Sequence, residues 1–337
     1  MIVSRRRALA LIGAGLALSG AGRVRAAGTP RYHWKFGHVQ STSGDQHLFA
    51  VRFGELLDKY SNGDVVLDVY PSGQLGSEAD LFQQVRGGAT EFSISGTAGL
   101  APLGVKEALL FDLPYFVTTR EQGWSLLNGE FGDWFRETIR TRTGVHSLGF
   151  LDNGFINIVN RARPINTPDD AKGLKLRVQP APGYIAVYEA LGIKATPMAY
   201  TEVYQGIQQG VIDGLVTTPR QVLADKFIDV AKHYSFTRAS YNVIVVLTNE
   251  ALMKGLPPEI QAAVTRAFAE AIEYQSALAR KMDEDAIVEM KKIGMQVTEP
   301  DLTPFISLVK PSVWQKLEGN IPDGKANIAR LLKAASA

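Results

Sequence analysis

The chain has no cysteine, and that absence removes disulfides, zinc-thiolate sites and cysteine nucleophiles from consideration. It also excludes a lipid-modified N-terminal cysteine, so an exported form is expected to diffuse freely inside an enclosed compartment. Long apolar runs are scarce too. The run at the start, Ala8 to Ala21, has 14 residues, and nothing later approaches the ~20 continuous apolar residues that a bilayer span needs. No Walker loop, HExxH or GxSxG occurs. The five histidines, at 33, 38, 47, 146 and 233, show no metal-ligand spacing, and the dinucleotide-like GAGLALSG lies in the leading segment with no strand before it. No metal and no cofactor is expected, and no nucleophile-base pairing for an enzyme is visible.

What is present begins with an export signal. Arg5, Arg6 and Arg7 precede the apolar run and Val24-Arg25-Ala26 offers small residues for cleavage, so residues 1–26 read as a secretory signal peptide. Ser4 to Leu9 also resembles a twin-arginine signal. Cleavage discards five arginines and no acids, leaving 31 basic against 34 acidic residues, near −3 where the whole chain is +2. The basic balance therefore belongs to the leader, and neither nucleic acid nor insertion into a membrane is expected. A periplasm fits best. The 311 residues beyond Ala26 are enough for two domains.

Periodicity gives a strand over Tyr32 to Val39, then a helix that places Leu48, Phe49, Phe53, Leu56, Leu57 and Tyr60 on its face and stops at Asn62-Gly63. A second strand follows, with Val65, Leu67 and Val69 alternating. This alternation predicts α/β layers with a mixed, mostly parallel sheet. Two distant segments, LFQQVRGGATEFSIS (81–95) and VYQGIQQGVIDGLVT (203–217), align without gaps as helix, glycine stop, acid and strand. A glycine stop common to any helix-to-strand connection explains the likeness; so do two lobes of like topology, with Ser95 and Thr217 at matching strand ends facing a cleft. Beyond Pro257, a periodic stretch from Pro258 to Ile293 predicts a helix of 36 residues, ~54 Å long at 1.5 Å per residue, lying across both lobes as a brace.

The stretch GLKLRVQP, from Gly173, poses the sharpest question. Leu174, Leu176 and Val178 share one face of a short strand by alternation, leaving Lys175 and Arg177 on the other. Alternation alone does not say why a guanidinium stands where this strand runs out.

The run from Gly173 to Pro219, GLKLRVQPAPGYIAVYEALGIKATPMAYTEVYQGIQQGVIDGLVTTP, closely resembles the solute-binding proteins of tripartite ATP-independent periplasmic (TRAP) transporters. VYPSGQLGSEADLFQQVRGG, FDLPYFV and PINTPDDAKGLKLRV extend the resemblance from about Lys35 to Pro304. It implies the two-lobed, hinge-closing fold of periplasmic binding proteins, with lobe I at 28–152 plus 241–281 and lobe II at 153–240 plus 282–335. It implies a small carboxylate as ligand, TRAP membrane permease subunits as partners and no catalysis, while the paired lobes, the bracing helix and the absence of an obvious exposed apolar run predict a monomer. Arg177 aligns with the family's carboxylate-gripping arginine, a role that needs a planar, permanently charged fork and that lysine cannot fill; the alternative is a salt bridge to an acid such as Asp170. Thr217 stands where many members have an asparagine contacting that carboxylate, and Tyr200 aligns with an aromatic lining the ligand. His38 and Gln40 after the first strand, Ser95, Gly96 and Thr97 after the third, and Asn157 and Asn242 complete the candidate set. Asp213 reads as structural, capping or hinge-locking.

One departure sharpens the expectation. Members that bind dicarboxylates or sialate commonly carry a further arginine in a GFR motif, where DNGFINIVN has Ile156. One strong cationic grip predicts a monocarboxylate with an apolar, aromatic or hydroxylated body, such as an aromatic or branched hydroxy acid or a sugar acid, unless Arg86, Lys175 or Arg238 supplies a second charge. Competing readings are an exported enzyme acting on a small organic acid through cleft acids, and an ABC-type or sensor binding protein.

Overall fold

The computed structural model describes residues 29–336. The expected signal peptide at 1–26, and residue 28 of the expected lobe I, lie outside that range. A single sheet organises the chain. Its strands are β1 (Tyr32–Gly37), β2 (Val65–Tyr70), β3 (Phe92–Gly96), β4 (Val145–Asn160), β5 (Lys175–Val178), β6 (Lys194–Pro197), β7 (Gly214–Thr217), β8 (His233–Asn249) and β9 (Gln296–Thr298). They lie in the order β2-β1-β3-β8-β4-β7-β5-β6, with β9 beside β8.

That order contains the same unit twice. β1 pairs in parallel with β2 and β3, and β5 pairs in parallel with β6 and β7, so β2-β1-β3 on one side mirrors β6-β5-β7 on the other. The segments that looked alike in sequence occupy equivalent places: the helix Glu78–Gly87 leads into β3, and the helix Val203–Gln208 into β7. Each is stopped by a glycine in the left-handed region, Gly88 at φ 75° and Gly210 at φ 76°. A side chain there would be strained, which is why both positions are glycine. Between the units run β4 and β8, 16 and 17 residues long, paired antiparallel with each other and with β7 and β3. The resulting sheet is mixed and mostly parallel, in a two-lobed α/β fold.

Local patterns account for these elements. In β1, Trp34 and Phe36 are buried while His33 and Lys35 face solvent. The helix Asp45–Tyr60 turns Phe49, Phe53, Leu56 and Leu57 onto them, in a core with Phe92, Val264 and Ala267. A second core gathers Val203, Ile207, Leu215, Tyr234 and Met290 around β7. The helix Pro258–Lys292, 35 residues long, buries Ile260, Val264 and Ala271 in the first core and Met290 in the second. It therefore spans both, as a brace of ~52 Å at 1.5 Å per residue. The largest core lies under the helices Pro182–Ala190, Thr303–Glu318 and Gly324–Ala335. No described helix is long and apolar enough to cross a membrane.

β5 departs from the alternation read in its sequence. Lys175 is exposed, but Leu176, Arg177 and Val178 are all buried. A short strand flanked by β6 and β7 and covered on both faces has no solvent side, so Arg177 enters the interior with its neighbours. Asp213 has a structural place here: it accepts from the Lys175 N–H through Oδ2 at 2.8 Å and donates its own N–H to the Lys175 carbonyl at 2.6 Å, tying β7 to β5.

Candidate ligand-binding cleft

The carboxyl ends of β3, β5 and β7 converge where β4 and β8 cross between the units. Ligands of open α/β sheets sit at such strand ends. A cavity of about 30 Å³ lies there, between Val39, Gln40, Gln46 and Glu78 on one side and Arg177, Tyr200, Thr217 and Gln221 on the other. Asn153, Ile156, Asn242 and Ile244 of β4 and β8 line it between them. It has room for about two waters. A neighbouring cavity of about 250 Å³ shares Glu78, Arg177, Gln179 and Tyr200 with it and adds Ser95. Anything larger than water enters the inner space only if the two sides part.

Arg177 is 4 % exposed and stands at the junction of the two cavities. Its Nε donates to the Met198 carbonyl at 2.9 Å, and its guanidinium carbon lies 5.4 Å from the centre of the Tyr200 ring. Among the described residues no carboxylate comes within ion-pair distance of it, and its two terminal nitrogens have no hydrogen-bond partner. Asp170, the alternative partner, accepts from the N–H groups of Asn166 and Thr167 instead. Burial lowers the Arg177 pKa, an effect that the negative charge of Glu78 opposes. A guanidinium nevertheless stays charged in proteins, and a buried cation without a counter-charge costs several kcal/mol. An anion entering the cleft relieves that cost.

The other sequence candidates fall into two groups. Thr217, Tyr200, Gln40 and Asn242 line the inner cavity with Arg177, and Ser95 lines the outer one. Several of these are already engaged: the Thr217 hydroxyl bonds Gln221, the Ser95 hydroxyl bonds the Gly96 carbonyl, and Asn242 bonds both Tyr184 and Asn153. Tyr200 donates its hydroxyl to Asp225 at 2.6 Å and presents its ring to Arg177. His38, Gly96, Thr97 and Asn157 do not line either cavity. His38 shares a 3.1 Å hydrogen bond with His47, and Asn157 donates to the Tyr234 hydroxyl at 3.0 Å while accepting from the Arg238 N–H. The Gly96 N–H donates to Glu78 at 3.0 Å. Among the described residues no group of three or more His, Cys, Asp or Glu side chains could hold a metal.

Sequence reading missed Glu78, Gln179, Gln46, Gln221 and Asn153. The signal for Gln179 was available, two residues past Arg177 on the same strand edge. Glu78 was hidden by its position in a helix start, where Ser77 and Asp80 form a reciprocal cap and an acid needs no further explanation. Of the cations that could have supplied a second charge, Arg86, Lys175 and Arg238 are all exposed and none lines a cavity.

Comparison with known proteins gives a consistent picture. The family model described as bacterial extracellular solute-binding protein, family 7, matches residues 36–320. The C4-dicarboxylate-binding periplasmic protein of Rhodobacter capsulatus is 34% identical over 293 residues, 87% of each chain. The crystal structure of a sugar acid binding protein from Advenella mimigardefordensis with galactonate superposes with a TM-score of 0.87 at 26% identity, covering 91% of this chain and 98% of that one. A TRAP periplasmic solute binding protein from Anaerococcus prevotii with bound glucuronate gives 0.85 at 26% identity, over 90% and 98%.

Proposed function

This chain belongs to the family 7 bacterial extracellular solute-binding proteins, the periplasmic binding proteins of TRAP transport, and we propose that it captures a small organic acid by its carboxylate at Arg177 and hands it to TRAP permease subunits. The observation that carries the reading is a buried guanidinium that, among the described residues, has both terminal nitrogens free and no carboxylate within ion-pair distance. Planar and bidentate, it matches a carboxylate.

The ligand offers one carboxylate to this cleft. Among the described residues Arg177 is the one cation lining either cavity, and Ile156 lines the inner one at the position where the family's GFR motif carries its further arginine. A second ligand carboxylate beside Ile156 would lose its hydration without a partner, at a cost of several kcal/mol. The Rhodobacter relative is named for C4-dicarboxylates, whereas the two solved neighbours hold galactonate and glucuronate, each with one carboxylate. A cleft lined by one cation suits a ligand of the latter kind.

Capture proceeds by hinge closure of lobe I (28–152 plus 241–281) on lobe II (153–240 plus 282–335), in a monomer and without chemistry on the solute. The two mirrored strand units, linked through β4, β8 and the helix Pro258–Lys292, support this division. A thermal-shift panel tests the reading. A ligand at 100 times its dissociation constant stabilises by ~2.7 kcal/mol, several degrees for a chain of this size. Monoacids should give the largest shifts; largest shifts from succinate, malate and fumarate would contradict it.

A further inference from the structure

Three acceptor oxygens in the cleft have no donor among the described residues. The Glu78 carboxylate lines both cavities with Arg177, yet the two are not within ion-pair distance. Its Oε2 accepts from the Gly96 N–H at 3.0 Å and faces the Ser95 hydroxyl at 3.5 Å. Its Oε1 has no partner among the described residues and is not sealed from the cavity. The side-chain carbonyls of Gln40 and Gln179, which line the inner cavity, are buried and also unpartnered. Gly96 makes the Gln179 position possible: a Cβ at residue 96 would stand 3.1 Å from the Gln179 amide nitrogen. Buried acceptors are rarely left unmatched in proteins, and each one unmatched is costly.

One wall therefore carries a fixed cation and the space beside it carries one anion and two amide carbonyls. A ligand satisfies all of them only if it bears one carboxylate and several hydrogen-bond donors. Hydroxyl groups along a carbon chain meet that demand; methylene groups leave the acceptors bare, and a second carboxylate meets the negative charge of Glu78. Building on the Arg177 reading, we propose that Glu78, with Gln40 and Gln179, reads hydroxyls on the body of the ligand and rejects a second carboxylate, so the solute is a polyhydroxylated monocarboxylic acid. Burial raises the Glu78 pKa, against the opposing bond from Gly96 and the charge of Arg177, which is consistent with a group held for a neutral donor.

Calorimetry with four kinds of probe tests this: aldonates (D-galactonate, L-galactonate, D-gluconate), hexanoate, galactarate and succinate. Wild type should bind one of the aldonates at least about 100-fold more tightly than hexanoate or galactarate, the scale expected when a site built for hydroxyls meets an analogue without them. Glu78→Gln, which keeps an acceptor for the Gly96 N–H, should lose about 10-fold for that aldonate and narrow its preference over galactarate by about 10-fold or more, since a bond to a charged acceptor is exchanged for a neutral one. The melting temperature of the variant without ligand should be unchanged within a degree or two. Hexanoate or succinate binding as tightly as every aldonate, an unchanged aldonate-to-galactarate ratio in Glu78→Gln, or no binding by any aldonate would each overturn the proposal. Arg177→Lys is the parallel control. If it binds every probe as wild type does, the carboxylate grip fails; if it loses binding while Glu78→Gln leaves the ratio unchanged, only the role of Glu78 fails.

Discussion

Arg220 and Asp45, 175 residues apart in sequence, meet in a buried ion pair with Nε 2.8 Å from Oδ1. Each opens a helix on a different side of the cleft, and the residues next to them, Gln221 and Gln46, line its inner cavity. Arg220 also reaches Asp283 of the bracing helix at 2.8 Å and both oxygens of Asn153. Gln275 completes Asp45 with a 2.7 Å bond. The network sits beside the register shift of β4 between Leu151 and Gly154. Strand, brace and both sides of the cleft are thus joined beside that shift.

Breaking that pair should be costly. Asp45→Ala leaves Arg220 and Gln275 short of a partner in a dry setting, and removing one member of a buried pair typically costs ~3 to 5 kcal/mol. Urea denaturation of the ligand-free protein should register this as a lower midpoint. A midpoint equal to wild type would show that the pair contributes little.

His38 supplies a pH dependence. Burial first, then the neighbouring His47, holds its pKa at about 3 against an ordinary 6.5. Between those values the unfolded chain binds the proton and the folded one does not, so stability rises with pH across the window and its loss grows as pH falls below 6.5. At pH 4 the loss from this group is about 3 kcal/mol. His38→Gln should remove that part of the slope; parallel stability-against-pH curves for variant and wild type would contradict it.

Tyr200 links the ligand wall to a contact across the cleft. Its hydroxyl donates to Asp225, whose other oxygen accepts from the Ser41 N–H at 3.0 Å, while the Ser41 hydroxyl donates to Ala224 at 2.9 Å. Burial raises the Asp225 pKa, so the carboxylate depends on these donors. Tyr200→Phe keeps the ring under Arg177 and removes one donor. Ligand release should quicken by about 10-fold with little change in capture rate, because such losses fall mainly on dissociation. Stopped-flow kinetics showing an unchanged release rate would contradict the latch.

Much of this was legible in the sequence, because it rests on local signals. Glycine stops at 88 and 210, alternation in β1 and the amphipathic run after Pro257 each report their own element, and the likeness between 81–95 and 203–217 reports the mirrored units. The interior placement of Arg177 was not legible as burial, since alternation describes a strand with one wet face and β5 has none. Nor were Glu78 and the Arg220 network. An acid in a helix start and an arginine after Thr218 look like ordinary surface residues until strands far apart in sequence bring them into one space. His38 does follow the first strand, but it pairs with His47, as Asn157 does with Tyr234, and neither lines the cavity.

The most direct measurement is calorimetric titration of Arg177→Lys with the acid that gives the largest thermal shift in wild type. A lysine keeps the charge but cannot make two parallel bonds, and a poorly matched buried charge pair costs ~2 to 5 kcal/mol. The account predicts affinity reduced by about 30-fold to several thousand-fold, with an unchanged circular dichroism spectrum. Wild-type affinity in a folded Arg177→Lys protein would contradict it.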